Sequence, residues 1–183
     1  MMTAILAKAI LAKIPAKPYA MSILKSLFIV GLMMVSLALT GCTGSDAGMA
    51  VDTAKQIAMA HELTVFHSPT CGCCGLWIEH VQSAGFQIKD EITEDMDPIK
   101  QAYGVPANLA SCHTASVDGY VIEGHIPAED LQRLLIEKPA IAGIAVPGMP
   151  TGSPGMESGD YVEPYTVFSF TEDGAVATFA EHS

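Results

Sequence analysis

The chain has 183 residues, of which half are hydrophobic. Twenty acidic and only five basic residues follow Cys42, so this part of the chain carries a net charge of −15. Such a surface repels phosphate backbones and attracts cations, and we therefore expect no nucleic-acid partner. The roughly 140 residues after Cys42 are enough for one modest core, and hence for one domain.

The N-terminal segment has the features of an export signal. An apolar run over residues 26–39 follows Lys25, and its length suits a signal peptide better than a transmembrane helix. The run ends in Leu39-Thr40-Gly41-Cys42, which resembles the lipobox of bacterial lipoproteins, in which cleavage leaves Cys42 as a lipidated N-terminus. The alternative is an ordinary signal peptide that ends near a cysteine. We divide the chain into an export signal with lipobox (1–42), a tether (43–60) and a folded domain (61–183).

The segments that follow predict alternating strands and helices. A short helix is expected within 52–62, and a buried strand at 63–68 leads into a turn rich in cysteine. Apolar residues then recur at helical spacing up to Gly85, and alternation over 86–89 predicts a second strand. Residues 98–103 predict another helix, with Pro98 at its first position.

The second half predicts a hairpin, a helix and a C-terminal extension. A third strand within 109–117 would carry Cys112 and His113, and Asp118-Gly119 is a strong hairpin signal before a strand at 120–123. Residues 127–138 predict a helix. Glycine and proline make 141–159 too broken for a helix or a strand ladder, and a terminal hairpin follows at 165–170 and 175–179. The order indicates an α/β fold: a thioredoxin-like mixed sheet with flanking helices, plus a C-terminal Gly/Pro/Met loop and β-hairpin.

The cysteine turn is the most informative motif. Cys71, Cys73 and Cys74 place three thiols in four positions between a strand and a helix. Amide groups at a helix start favour thiolate, which serves either attack on a disulfide or metal binding. The third thiol favours a soft ion, so we expect Cu(I), with zinc a weaker competitor. A structural Cys71–Cys74 bridge is disfavoured, because it would close only a tiny loop.

Further sulfur and imidazole groups complete the candidate metal site. Cys112 is the expected fourth sulfur, with His113 beside it, because the start of the third strand should lie next to the turn. Met149 and Met156 are candidate thioether ligands, or else gap-fillers over the sheet. His125 is a candidate ligand or a loop histidine with its own hydrogen bonds. His67 is near enough to support a ligand, whereas His61, His80 and His182 are expected to be solvated.

Five short motifs stand out: Cys71-Gly72-Cys73-Cys74-Gly75, Ser111-Cys112-His113-Thr114, Glu123-Gly124-His125-Ile126-Pro127, Pro147-Gly148-Met149-Pro150 and Gly152-Ser153-Pro154-Gly155-Met156. They resemble the CopG-like copper-resistance family, whose members are periplasmic, thioredoxin-like metal-binding proteins long catalogued as a domain of unknown function. The resemblance implies copper binding by the four cysteines, as one ion or as a multi-copper thiolate cluster, with histidine and methionine nearby. It also implies a role in copper handling with periplasmic copper-handling or redox proteins, including interconversion of Cu(I) and Cu(II).

Three hypotheses remain open. The chain is a periplasmic, membrane-anchored copper-binding protein for copper resistance, a thiol–disulfide oxidoreductase that uses Cys71 and Cys74, or a structural zinc domain. The first is favoured by the third thiol at Cys73, which a dithiol oxidoreductase does not need. Whether the copper protein would be an enzyme, a copper oxidoreductase, cannot be read from residue types.

Overall fold

The computed structural model describes residues 46–183, with side chains from Asp52 onward. Its centre is one seven-stranded sheet in the order β2-β1-β3-β4-β5-β6-β7. The strands are β1 (Glu62–His67), β2 (Gln87–Ile92), β3 (Thr114–Val117), β4 (Tyr120–Glu123), β5 (Gly143–Ala145), β6 (Tyr165–Phe170) and β7 (Val176–His182). The helices are α1 (Asp46–Ala60), α2 (Gly72–Ser83), α3 (Asp97–Ala102) and α4 (Ala128–Glu137), with one 3₁₀ turn at Ala107–Leu109.

The sheet is mixed, as the order of elements predicted. The pairs β1–β2 and β4–β5 are parallel, and the remaining neighbours are antiparallel. Strands β3 and β4 form the predicted hairpin, in which Asp118 and Gly119 both have positive φ, at 49° and 86°. Two positive φ values are typical of the type I′ turn that Asp-Gly favours. The predicted mixed α/β class is confirmed, and the arrangement is consistent with a thioredoxin-like fold.

The core lies between the sheet and the helices. Leu63 and Val65 alternate with less buried positions along β1, as expected for a strand with one fully covered face. Trp77 of α2 and Leu131 and Leu134 of α4 are fully buried in the same cluster. Because α2 packs through Trp77, its N-terminal cysteine turn is held at a defined place beside the sheet.

The predictions were wrong about two segments. Strand β3 begins only at Thr114, so Cys112 and His113 lie in the preceding loop, where the N–H of Ser111 donates to the side chain of Glu123 instead of a backbone carbonyl. Within 141–159, Gly143–Ala145 forms β5 between β4 and β6. A Cβ at Gly143 would lie 2.2 Å from the carbonyl oxygen of Val121, so glycine permits this close pairing.

Helix α1 covers most of the segment that was expected to be a tether. It spans Asp46–Ala60, and Ala58 is fully buried in the core. The proposed export signal, the lipobox and Cys42 lie outside the described residues, and the domain boundaries stay predictions. No helix in residues 46–183 has the length and apolar character needed to cross a bilayer.

The three histidines that were expected to be solvated all have partners. His61 Nδ1 lies 2.9 Å from Asp118 Oδ2, and His182 Nε2 lies 2.7 Å from Asp130 Oδ2. The Nε2 atom of half-buried His80 accepts a hydrogen bond of 3.1 Å from the N–H of Ala128. The expectation was wrong because the partners are distant in sequence, and only folding brings them close.

We expect His80 to make stability dependent on pH. Burial lowers its pKa from 6.5, although Glu129 and Glu157 oppose the shift. Because the folded-state pKa is below the unfolded value, the stabilisation is fully present above pH 6.5 and is lost as the pH falls through the folded pKa. The measurement is the free energy of urea unfolding at about pH 7.5 and pH 5.

His80→Gln is the matched control for this prediction. Its amide oxygen can accept from Ala128 N–H without titrating, so its stability should fall less between the two pH values than that of the unsubstituted protein. Contributions of all other groups are the same in both proteins, and they cancel in the difference. Equal losses in the two proteins would contradict the prediction.

Candidate metal centre

The cysteine turn begins where β1 ends. The N–H of Cys71 donates to the carbonyl of Ser68 over 3.0 Å, and Ser68 Oγ accepts from the N–H of Thr70 over 3.3 Å. This turn directs the chain into α2, with Cys71 at the N-cap position and no side-chain cap. The free amide groups of the first helical turn therefore lie next to the cysteine sulfurs.

Four sulfur atoms meet at the start of α2. The Sγ atoms of Cys71, Cys73, Cys74 and Cys112 all lie within 4.8 Å of one another. Cys71 and Cys74 form a disulfide, whereas Cys73 and Cys112 are free thiols. The prediction against this bridge was wrong: three residues apart at a helix start, the two Cα atoms are 5.4 Å from each other, which suits a disulfide even though the closed loop is short.

Cys112 also belongs to a second group of donors. Its Sγ lies 3.0 Å from His125 Nε2 and 3.3 Å from His113 Nδ1, and these three residues meet the same 4.8 Å limit. His125 Nδ1 donates to the carbonyl of Pro154 over 2.7 Å, so the lone pair on Nε2 faces the Cys112 sulfur. Cys112 therefore joins a cluster of sulfur atoms to a pair of imidazoles.

His113 is the most enclosed of these groups. It is fully buried, and its ring packs against Trp77 at a tilt of 39°, with centroids 4.3 Å apart. Among the described residues, its Nε2 has no hydrogen-bond partner. A buried nitrogen without a partner costs free energy, and a metal ion or a bound proton donor would satisfy it.

Burial shifts the pKa values of the cysteine and histidine side chains in the centre. It raises the pKa of the Cys112 thiol to about 12, and the neighbouring Cys73 adds to this rise. Burial also lowers the pKa of His125, and it lowers that of His113 well below its usual value. At neutral pH the imidazoles are therefore neutral and able to bind metal, while a metal ion must displace the proton of Cys112.

The Gly/Pro-rich loop lies directly on the first turn of α2. Gly155 has a φ of +82°, and a Cβ there would lie 2.8 Å from Trp77 N and 3.0 Å from Cys73 O. This close approach brings Met149 Sδ to 4.0 Å from Cys73 Sγ, with half of the Met149 side chain exposed. Met156 lies in the same loop, and its backbone closes a turn through Ser153 and Gly152.

Sequence reasoning missed the polar groups beneath the Cys112 loop. Glu123 is fully buried and contacts Lys100, Ser111 and Thr114. Trp77 Nε1 donates to the carbonyl of Ile126 over 2.8 Å and so holds the loop that carries His125. One signal was available in the sequence. Glu123 directly follows the apolar pair Val121-Ile122 at the end of a predicted strand, and this position indicates that its carboxylate is buried.

His67 is the last residue of β1, and its ring nitrogens contact groups outside the two donor clusters. Its Nε2 lies 2.8 Å from Asp90 Oδ1 and its Nδ1 lies 3.0 Å from Ser68 O. Both nitrogens thus have partners within the protein. His67 supports the strand end that precedes the cysteine turn.

The fold and this cluster define an α/β protein with a soft, sulfur-rich donor set able to bind a metal ion. Residues 109–156 match the model of a family described as a protein of unknown function, DUF411. Two solved structures are similar over nearly their whole length, and both are forms of copper resistance protein CopG. Form 2 is 42% identical with a TM-score of 0.65, covering 67% of this chain and 98% of that one. Form 1 is 43% identical with a TM-score of 0.63, covering 66% and 96%.

The chain therefore belongs to the CopG-like copper-resistance family, as its motifs predicted. None of the curated sequences compared with it is significantly similar. A copper-related function is thereby supported for the chain. Which residues bind metal stays a prediction, and so does the oxidation state of the copper.

Proposed function

We propose that this protein binds Cu(I) outside the cytoplasm through Cys71, Cys73, Cys74 and Cys112, and that it serves copper resistance or homeostasis. The observation that carries the proposal is the meeting of all four sulfurs within 4.8 Å. Thiolates are the ligands that soft Cu(I) prefers, and no hard oxygen ligand lies in either donor group. Zinc would accept a similar set of ligands, and membership in a copper-resistance family favours copper over it.

The imidazoles and thioethers extend the proposed ligand set. His113 and His125 share Cys112 as a neighbour and offer neutral nitrogen donors. Met149 lies nearest to Cys73, at the exposed side of the cluster, and Met156 follows in the same loop. With this many donors the site could hold one copper ion or several in a thiolate cluster.

The Cys71–Cys74 pair gives the proposed site a two-electron redox couple. Reduction of the disulfide takes two electrons and two protons and yields the two thiols that complete the sulfur set. Oxidation of two Cu(I) ions to Cu(II) releases two electrons, so the two reactions balance. We propose that this couple supports interconversion of Cu(I) and Cu(II), with periplasmic redox or copper-handling proteins as partners.

The proposed location is the periplasm, with an anchor to a membrane through a lipid on Cys42. Support comes from the apolar run and lipobox-like sequence before Cys42 and from the family's copper-resistance role. Labelling of cells with a radioactive fatty acid tests the anchor. An exported protein that keeps Cys42 but carries no label would contradict it.

Replacing Cys112 by Ser tests the proposed site most directly. We expect Cu(I) affinity to fall about 100- to 1,000-fold, because a site worth ~10–16 kcal/mol loses one of four sulfur ligands. The measurement is an anaerobic competition of fully reduced protein with a Cu(I) chelator. Trp77, the single tryptophan, packs against the ring of His113 and should report binding through quenched fluorescence.

Two results of this titration would overturn the proposal. One is that the reduced, unsubstituted protein fails to compete with the chelator. The other is that binding is undiminished when Cys71, Cys73 and Cys74 are replaced together by Ser. Circular dichroism of each variant establishes that the loss of affinity is not a loss of folding.

Met149→Leu is expected to have a smaller effect. Met149 Sδ is the thioether near Cys73, and loss of this neutral donor should weaken Cu(I) binding about tenfold, or ~1.4 kcal/mol. Met59→Leu is a matched control, since the Met59 side chain is similarly exposed, at 56% against 51%, but lies on α1. Equal affinities of the two variants would remove Met149 from the ligand set.

A thiol–disulfide oxidoreductase is the second candidate function. The specific observation in its favour is the Cys71–Cys74 disulfide at the start of α2, the position of a reactive dithiol. Cys73→Ser should keep disulfide-reductase activity under this function, but should lose Cu(I) affinity under the copper-binding one. Absence of insulin reduction by the unsubstituted protein would argue against the oxidoreductase.

A structural zinc site is the third candidate, and removal of the metal tests it. If zinc only held the cysteine turn, removal of metal should unfold the chain. Retention of the circular dichroism spectrum after treatment with a strong chelator would exclude that role.

A further inference from the structure

We infer that Glu123 is a positioning residue for the Cys112–His113 ligand pair, which its buried carboxylate holds from both sides. This inference rests on the proposed copper site. Glu123 is the last residue of β4 and is paired in the sheet with Thr114, the first residue of β3. Cys112 and His113 immediately precede that strand, and the carbonyl of His113 accepts from the N–H of Gly124, just after β4.

The carboxylate of Glu123 accepts hydrogen bonds from both flanks of the pair. Oε1 accepts from the backbone N–H of Ser111 over 2.6 Å, and Oε2 accepts from Thr114 Oγ1 over 2.7 Å. Ser111 and Thr114 are the residues just before Cys112 and just after His113. One rigid, fully buried group therefore fixes the two ends of a four-residue segment.

Lys100 holds the carboxylate itself in place. Its Nζ lies 2.5 Å from Glu123 Oε1 and 3.1 Å from Thr114 Oγ1, and only 15% of its side chain is exposed. A buried carboxylate is costly without such a partner, and charge-assisted hydrogen bonds are short and directional. Lys100 comes from α3, so a third part of the chain is linked to the Cys112 loop.

Ser111 also contacts the loops that carry the other candidate ligands. Its Oγ donates to the carbonyl of Gly148, next to Met149. Gly124, at a φ of +76°, lies so close to Ser111 that a Cβ there would be 2.5 Å from the serine Oγ. The position of Ser111 is therefore coupled to the segments that bear His125 and Met149.

The hairpin does not need this ion pair in order to form. Strands β3 and β4 are already joined by the Asp118-Gly119 turn, and Ala115 and Ile122 pack in the core. Replacement of a buried ion pair by neutral groups of similar size is often harmless to stability. The feature that needs a carboxylate at residue 123 is the loop, because Ser111 N–H and Thr114 Oγ1 require two acceptor oxygens at this place and an amide offers only one.

The test compares Glu123→Gln, Lys100→Met and the double variant in the full chain. We expect Cu(I) affinity of the reduced protein to fall about 10- to 100-fold in Glu123→Gln, as is typical when a group supporting a metal ligand is lost. In the double variant no charge stays unpaired, so stability should recover while Cu(I) affinity stays low. Glu91→Gln is the matched control, because it breaks the exposed Lys89–Glu91 pair on β2.

A copper-free readout separates this inference from the proposed function. We expect the Cys112 thiol of metal-free, reduced protein to react several-fold faster with iodoacetamide in Glu123→Gln and in the double variant, with no change at Cys73. If the unsubstituted protein binds no Cu(I), the proposed function fails and this reactivity decides the inference. A folded double variant with unchanged Cys112 reactivity, or with unchanged Cu(I) affinity, would overturn it.

Discussion

Protein in which Cys71 and Cys74 are joined is expected to bind Cu(I) at least about 4,000-fold more weakly than fully reduced protein. The disulfide removes two of the four sulfur ligands of the proposed site. If a four-ligand site is worth ~10–16 kcal/mol, loss of half the ligands costs ~5–8 kcal/mol. Cys73 and Cys112 stay free in this state, with the imidazoles of His113 and His125 beside them.

The comparison uses the same preparation, oxidised or reduced, in an anaerobic chelator competition. Peptide mapping confirms which thiols are bridged. In a variant with both Cys71 and Cys74 changed to Ala, pretreatment with oxidant or reductant should make little difference, provided that Cys73 and Cys112 remain reduced. Equal affinities of oxidised and reduced unsubstituted protein would show that Cys71 and Cys74 are not copper ligands.

Replacing Trp77 by Ala should reduce the free energy of unfolding by about 3–5 kcal/mol, the usual cost of removing a buried aromatic side chain. Trp77 is fully buried, packs against the ring of His113 and donates to the carbonyl of Ile126. Urea unfolding followed by circular dichroism measures the change, since the variant has no tryptophan left to fluoresce.

Trp77→Phe is the matched control for this prediction. It keeps most of the packing but leaves the carbonyl of Ile126 without its donor, so we expect a smaller loss of about 1–3 kcal/mol. A loss of less than about 1 kcal/mol in Trp77→Ala would mean that the indole is not a structural support of the centre.

These expectations share one structural cause, which is that the candidate site is assembled from three separate parts of the chain. The first part is the cysteine turn at the start of α2. The second part is the pair of loops around the β3–β4 hairpin, which carry Cys112 and the two histidines, and the third is the Gly/Pro-rich loop with Met149. Trp77 of α2 directly contacts the loops on both sides of the hairpin, through His113 and Ile126. A change in the core can therefore alter the donor geometry without touching a donor.

Several features could be predicted from local patterns. The cysteine turn before α2, the Asp118-Gly119 hairpin and the α4 helix each depend on neighbours in sequence, and the structure confirms these elements. Proximity of Cys112 to the turn was also predicted, because the strand order of a mixed sheet places the loop before β3 beside the end of β1.

Other features could not be predicted because their causes are long-range. Strand β5 forms around Gly143 only because β4 and β6 supply partners on both sides. His80 is half-buried because α4 begins beside it, 48 residues further along the chain. The Glu123–Lys100 pair joins a strand end to α3, and nothing in the local sequence of either residue indicates the other.

The sequence by itself determined the chemical type of the site, because three thiols in a turn before a helix are soft donors whatever surrounds them. It also determined the strongly acidic surface and the family to which the chain belongs. The tertiary structure alone decided which thiols are bridged, which imidazole nitrogens face Cys112 and which carboxylate holds that loop. Hydrogen bonds and disulfides require atoms within a few ångströms of each other, and for residues far apart in sequence only the folded chain sets those distances.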